Sequence, residues 1–226
     1  MSVKPNEKRV VVARNASGAV RAAREGLGVL IVDVIDMSTT LESALEAGAS
    51  AVLGASPDET RAPVPVDPFR MGQLAAGKAA ELGCGIVVIA EPRVGTPEER
   101  MKRGSKLLSG IKAGGGVVEI VLPNLGHETP RLYELHGKIV VAVTDTGGVA
   151  YDAAYQVTDR VATGTIARTF AHKGEEPARI AAARAIELMR ETGGVAIIAA
   201  SANSLEDVLA AEYIAKLICE TPEKWE

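Results

Sequence analysis

Short runs of Val, Ile and other apolar residues recur along this 226-residue chain, separated by longer stretches with apolar residues at helical spacing. That alternation is the pattern of parallel strands joined by helical crossovers, and few other architectures accept it. The runs predict strands over Arg9–Ala13, Val29–Ile35, Ala51–Gly54, Ile86–Ala90, Val117–Leu122, Ile139–Thr144, Arg160–Thr163 and Val195–Ala199. Helices are predicted over Gly18–Glu25, Thr39–Ala47, Met71–Leu82, Pro97–Ala113, Gly148–Gln156, Pro177–Glu191 and Leu205–Cys219. Several strands are apolar at successive positions, which requires cover on both faces of the sheet. The expected fold class is therefore α/β, a three-layer α/β/α sandwich forming a single domain over residues 1–226. Ala55–Phe69, with four prolines, reads as a long irregular connection.

Shifted by 109 positions, Val32, Val34, Asp36, Ala44 and Val52 fall on the identical residues Val141, Val143, Asp145, Ala153 and Val161. The echo is compatible with two related α/β halves, with repeat units around 28–54 and 137–164. Parallel α/β folds reuse strand–turn–helix–strand units in any case, and small apolar residues match easily. Related units would make Asp36 and Asp145 equivalent strand-end residues.

Charge narrows the partners. The 25 Lys+Arg and 29 Asp+Glu leave a formal charge of −4, and one Trp, four Tyr and two Phe are the only aromatics. The chain thus lacks the basic stripe and stacking platforms of a general nucleic-acid binder. No apolar stretch approaches the roughly 20 residues that a membrane span needs. The start, MSVKPNEKRVVVA, has an apolar run too short for a signal core, so a cytoplasmic location is expected. Cys84 and Cys219 are isolated and read as packed small residues. A homodimer is the base-rate expectation for assembly.

Three turns carry candidate chemistry. In the first, a strand runs into Asp33, Asp36, Ser38, Thr39 and Thr40 as a helix begins. Ligands gather at the carboxyl ends of strands, where helix N-termini direct free N–H groups at anions. The three hydroxyls would bind phosphate or sulfonate oxygens, and Asp33 and Asp36 would hold a hard cation such as Mg²⁺. Equally, Ser38 or Thr39 would serve as a helix cap and the aspartates as turn braces. The second turn repeats the arrangement with Thr144, Asp145, Thr146, Gly147 and Gly148. The third places Asn203, Ser204, Glu206 and Asp207 at the mouth of the last helix, where acidic residues also suit the helix dipole. There is no Walker-type loop, no GxSxG elbow and no zinc spacing among His127, His136 and His172. His127 is either an acid–base group near the site or a loop histidine.

In order along the chain from about Val10 to Ile218, these motifs resemble the 2-phosphosulfolactate phosphatase family. The resemblance is carried by the Asp-Val strand end followed by hydroxyl residues and an Ala/Gly-rich helix, the Thr/Asp/Gly turn, and the late Leu-Glu-Asp helix. LGHETP at Leu125–Pro130 stands where the family has Gly-Asn-Ser-Pro, and TDTGG at Thr144–Gly148 where it has Thr-Thr-Asn-Gly-Thr. The resemblance implies a Mg²⁺-dependent hydrolase of a small phosphorylated acid, a small anionic metabolite, as in coenzyme M biosynthesis. Asp33, Asp145 and Asp207 would then be catalytic, with Ser38, Thr39, Thr40, Gly147, Gly148, Asn203 and Arg168 on the substrate. Asp33, Asp36, Asp145 and Glu206 would serve the metal. One departure has chemical weight: Asp36 stands where the family pattern has arginine. At about 4 Å and an effective dielectric near 20, each unit charge pair is worth roughly 4 kcal/mol, so another cation must serve the phosphate. Arg168 is the first expectation and Lys173 the second. The alternatives are a non-catalytic binder of a phosphorylated metabolite, or an enzyme of changed chemistry on a carboxylate or carbonyl substrate.

Overall fold

A computed structural model describes residues 8–221. Most of the amino-terminal segment weighed above against a signal core lies outside them. The order is β1 (Arg9–Arg14), α1 (Asn15–Arg24), β2 (Gly28–Val32), α2 (Met37–Glu46), β3 (Ala51–Ala55), α3 (Pro68–Leu82), β4 (Ile86–Ala90), α4 (Pro97–Arg103) and α5 (Ser105–Ala113). There follow β5 (Val118–Pro123), a 3₁₀ turn (Gly126–Arg131), β6 (Ile139–Val143), α6 (Gly147–Tyr155), β7 (Val161–Gly164), α7 (Glu176–Thr192), β8 (Gly194–Ala199) and α8 (Leu205–Cys219). The fold is an α/β sandwich. No described helix is long and apolar enough to cross a membrane.

The eight strands among the described residues divide into two parallel four-stranded sheets, ordered β1-β8-β2-β7 and β3-β6-β4-β5. Neither sheet is made by one stretch of sequence. Helix α2 carries the chain from β2 in the first sheet to β3 in the second, and α6 carries it from β6 in the second to β7 in the first. As a result β2 pairs with β7 (Val29 opposite Val161) and β3 with β6 (Ala51 opposite Ile139). Exchanging β1, β2, β7 and β8 for β5, β6, β3 and β4 converts one sheet order into the other. Asn15 and Asn124, each directly after an edge strand, occupy matching places and are also 124 − 15 = 109 positions apart.

Strand alternation sorts the core. Leu30, Val32, Val195 and Ile197 pack against α7 and α8, whereas Val29, Ile31, Ala196 and Ile198 join the larger cluster with α1, α2 and the second sheet. Local chemistry sets the helix starts. Asp67 accepts from Arg70 N ahead of Pro68, Thr96 and Glu99 form a reciprocal capping box at α4, and Ser204 accepts from Asp207 N at α8. The predicted Pro97–Ala113 helix is two helices, broken at Gly104, and β2 stops at Val32 rather than Ile35.

Helices α3 and α5 touch through glycine. A Cβ on Gly110 would meet the Phe69 carbonyl, and one on Gly72 the Leu107 carbonyl; both obstacles are backbone. Gly110→Ala is therefore expected to destabilise by about 2 kcal/mol, because overpacking exceeds the helix-propensity gain of about 1 kcal/mol. At about 2–4 °C per kcal/mol for this size, thermal denaturation should show a midpoint lower by roughly 4–8 °C. An unchanged midpoint would show that the helices separate freely.

Candidate functional site

The turn after β2 is locked by one hydroxyl. Asp33 N leaves the strand ladder and donates to Ser38 Oγ at 3.0 Å, while that hydroxyl donates to Ile31 O at 3.0 Å. The Asp33 carboxylate is thereby held between two helix N-termini. Its Oδ1 accepts from Asp36 N at 3.1 Å, ahead of α2, and its Oδ2 accepts from Gly147 N at 2.8 Å and Thr146 Oγ1 at 3.1 Å, at the start of α6. Only glycine permits this approach, since a Cβ at position 147 would overlap the carboxylate. Asp33 is 2% exposed. Burial first, then the charges of Asp207 and Asp36, push its carboxyl up to about 6, against the pull of its backbone donors.

Two Arg–Asp pairs stand beside this joint on the two corresponding turns. Arg93 Nη2 lies 3.4 Å from Asp36 Oδ1, and Arg103 Nη2 lies 2.6 Å from Asp145 Oδ1. Both arginines come from the segment after β4. Arg93 Nε also donates to Asn124 O at 3.0 Å. The Asn124 amide oxygen accepts from Thr40 Oγ1 at 2.5 Å and Gly126 N at 3.2 Å, leaving its buried Nδ2 without a partner. Glu91 feels both pairs. Burial, then Asp36 and Asp145, raise its carboxyl, while Arg103 and Arg93 oppose the shift. A cavity of about 530 Å³ opens beside Asp145, lined by Pro57, Asp58, Glu59, Lys102, Arg103 and Ser105.

The expected residues divide sharply in placement. Asp33, Asp36 and Gly147 meet at the joint, with Asp145 and Gly148 beside it on the β6 turn. Asp207 reaches the same turn from α8, accepting from Val34 N at 2.9 Å, and its carboxyl is raised chiefly by burial. The three hydroxyls face inward as braces. Thr39 Oγ1 donates to Val34 O at 2.5 Å and lies 2.9 Å from Thr165 Oγ1, and Thr40 is engaged by Asn124. Gly148 N donates to Thr144 Oγ1 at 2.8 Å. Asn203 is exposed on the loop before α8 and Glu206 in the first turn of α8, where the Glu206 carboxylate accepts from Ser204 Oγ at 3.3 Å. Arg168 and Lys173 are exposed on the β7–α7 connection, and the cation facing Asp36 is Arg93. His127 contacts Glu128 at 2.9 Å.

The carboxylates do not make a cation cage. Among the described residues no three or more His, Cys, Asp or Glu side chains converge as metal ligands. Asp33 is surrounded by N–H and O–H donors, Asp36 and Asp145 each face an arginine, and Glu206 accepts from Ser204. The set Asp33, Asp36, Asp145 and Glu206 thus does not fit Mg²⁺.

Glu91, Arg93, Arg103 and Asn124 are the residues that sequence reasoning passed over. Glu91 and Arg93 follow the carboxyl end of β4, and Asn124 that of β5, so the strand-end rule applied to Asp33 would have found them. Arg103 has no such signal, since it sits inside what reads as one helix. Compared with known proteins, the chain matches no family model, no curated protein and no solved structure.

Proposed function

We propose that the chain is a phosphomonoester hydrolase acting on a small phosphorylated acid at the cleft between the β2 and β6 turns. The observation carrying this reading is the presentation of Arg93 and Arg103 to two corresponding aspartate-bearing turns around the half-buried Glu91. Guanidinium groups match phosphate geometry with paired donors, so both would exchange an aspartate for phosphoryl oxygens. Arg93 also supplies a cation at Asp36, where the resembled family pattern has arginine. Glu91, its carboxyl raised above its ordinary range by burial, takes the proton of the attacking water as the new P–O bond forms. The ester P–O bond breaks, and the proton passes to the departing alkoxide. Asp33 positions the two turns. The Mg²⁺ of the resemblance enters as an assay variable, because these carboxylates offer it no cage.

Phosphate release should be measured on a panel of small monoesters with and without MgCl₂. The double variant Arg93→Ala, Arg103→Ala is expected to lose at least about a hundredfold in kcat/KM, or about 2.7 kcal/mol of transition-state stabilisation. Release unchanged in that variant, or none from the wild type, refutes the proposal. A second reading is favoured by the carboxylates at these turns, which face Arg93 and Arg103 and, among the described residues, form no cage for an activating metal. In that case the chain binds a phosphorylated metabolite without turnover. Calorimetric binding of an ester that persists unhydrolysed would select it.

A further inference from the structure

The cavity beside Asp145 is larger than a phosphate needs, and its wall carries opposite charges that the described residues leave unpaired. Most of its polar groups are committed: Arg103 holds Asp145, and Asp58 accepts from Ser105 Oγ and Lys106 N while Lys106 Nζ donates to its carbonyl. Glu59 and Lys102 are different. Both line the cavity and both are exposed, but neither side chain forms an ion pair or hydrogen bond with any described residue, including each other. Their charged ends are therefore more than 4 Å apart. Arg103 belongs to the cavity and to the phosphate-binding pair alike, and its Nε is buried without an acceptor.

Resting on the phosphatase reading, we infer that this cavity receives the leaving group of the substrate, and that this group is zwitterionic. Its ammonium meets Glu59 and its carboxylate meets Lys102, as in an O-phosphorylated amino acid. A volume of about 530 Å³ falls in the range of roughly 300–1,000 Å³ typical of small-molecule sites, which suits an organic body attached to the phosphate. A merely anionic leaving group would have Lys102 for a partner but would bring a like charge toward Glu59. Specificity here arises from that penalty as much as from attraction.

Three probes separate the contributions: O-phosphoserine carries both charges, 3-phosphoglycerate replaces the ammonium with a hydroxyl, and phosphoethanolamine lacks the carboxylate. Binding by calorimetry and phosphate release are measured for each on the wild type, Glu59→Gln and Lys102→Gln. O-phosphoserine should bind about tenfold more tightly than either competitor, a difference of about 1.4 kcal/mol. Glu59→Gln should erase its advantage over 3-phosphoglycerate, and Lys102→Gln its advantage over phosphoethanolamine. Equal binding of all three probes, or a Glu59→Gln effect that is the same for O-phosphoserine and 3-phosphoglycerate, overturns the inference and leaves the hydrolase reading intact if phosphate is released. Selective, Glu59-dependent binding without release upholds the zwitterion site and refutes hydrolysis. No binding of any probe defeats both.

Discussion

Asp33→Ala is expected to lower turnover at least about a hundredfold and to cost about 2–4 kcal/mol of stability at pH 7.5. The carboxylate accepts from the starts of both α2 and α6. Without it, Asp36 N, Gly147 N and Thr146 Oγ1 lose a buried acceptor, and each stranded donor costs about 1–3 kcal/mol, partly offset by relief of a buried charge. Catalysis suffers because the two turns lose their mutual register, and a displacement of about 1 Å is enough for a hundredfold loss. The pH dependence has a definite sign. The folded-state value of about 6 lies above the ordinary aspartate value of 3.8, so folding favours the protonated acid. That stabilising contribution is fully present below about 3.8 and is lost as pH rises through about 6. The loss caused by Asp33→Ala should therefore be larger at pH 5 than at pH 7.5, by about 1 kcal/mol. Glu42, buried beside Arg184 and pushed up to about 7 mainly by burial, adds a slope of the same sign to both proteins and cancels from the difference. Urea unfolding of wild type and variant at the two pH values measures it. A smaller loss at pH 5 would mean that the helix N-termini outweigh burial.

The site was legible where one strand end announces itself and illegible where two strands meet. Asp33 follows a run of Val and Ile and precedes a helix, so its place at a carboxyl edge can be read locally. That its carboxylate binds Gly147 cannot, because the contact spans 114 positions and arises only when α2 and α6 exchange sheets. For the same reason a single sheet and two sheets of four look alike in sequence: the Val/Ile runs are identical in either arrangement. Ser38, Thr39 and Thr40 looked like ligand donors because a first helical turn carries its hydroxyls in either direction. Here Val34, Asn124 and Thr165 cover them. Arg168 was expected to replace the cation missing at Asp36, but the β7–α7 connection is drawn toward α2 by Glu46, which accepts from Thr169 Oγ1 and Ala171 N, each at 2.6 Å. The cation instead arrives from β4 as Arg93. The predicted break-free helix over Pro97–Ala113 failed at Gly104, where Thr96 and Pro97 start one helix and a second begins at Ser105, capped by Asp58 from a distant loop.

Asp152→Ala should destabilise most, by about 3–5 kcal/mol, although Asp152 is outside the cleft and was not among the expected site residues. Its buried carboxylate accepts from Ser56 N at 3.2 Å, Ser56 Oγ at 2.7 Å, Asp67 N at 2.9 Å and Gln156 Nε2 at 2.7 Å. Those bonds fasten both ends of the long β3–α3 connection to α6. The matching position on α2, 152 − 43 = 109 residues earlier, is Ser43, whose hydroxyl accepts from Phe170 N at 3.2 Å and so holds the β7–α7 connection. The two matching positions anchor their straps with different strengths, an anion with four donors on α6 against one neutral hydroxyl on α2, where Glu46 holds the same connection further along the helix. Ser43→Ala should accordingly cost only about 1 kcal/mol. Hydrogen exchange supplies the distinguishing readout, with faster exchange over residues 56–67 in Asp152→Ala and over 165–172 in Ser43→Ala. Because Pro57, Asp58 and Glu59 lie on the first of these straps and line the cavity, its release should weaken ligand binding there while leaving Arg93 on Asp36. Equal costs for the two variants would show that stability depends on filling the space under each strap rather than on the charge that anchors it.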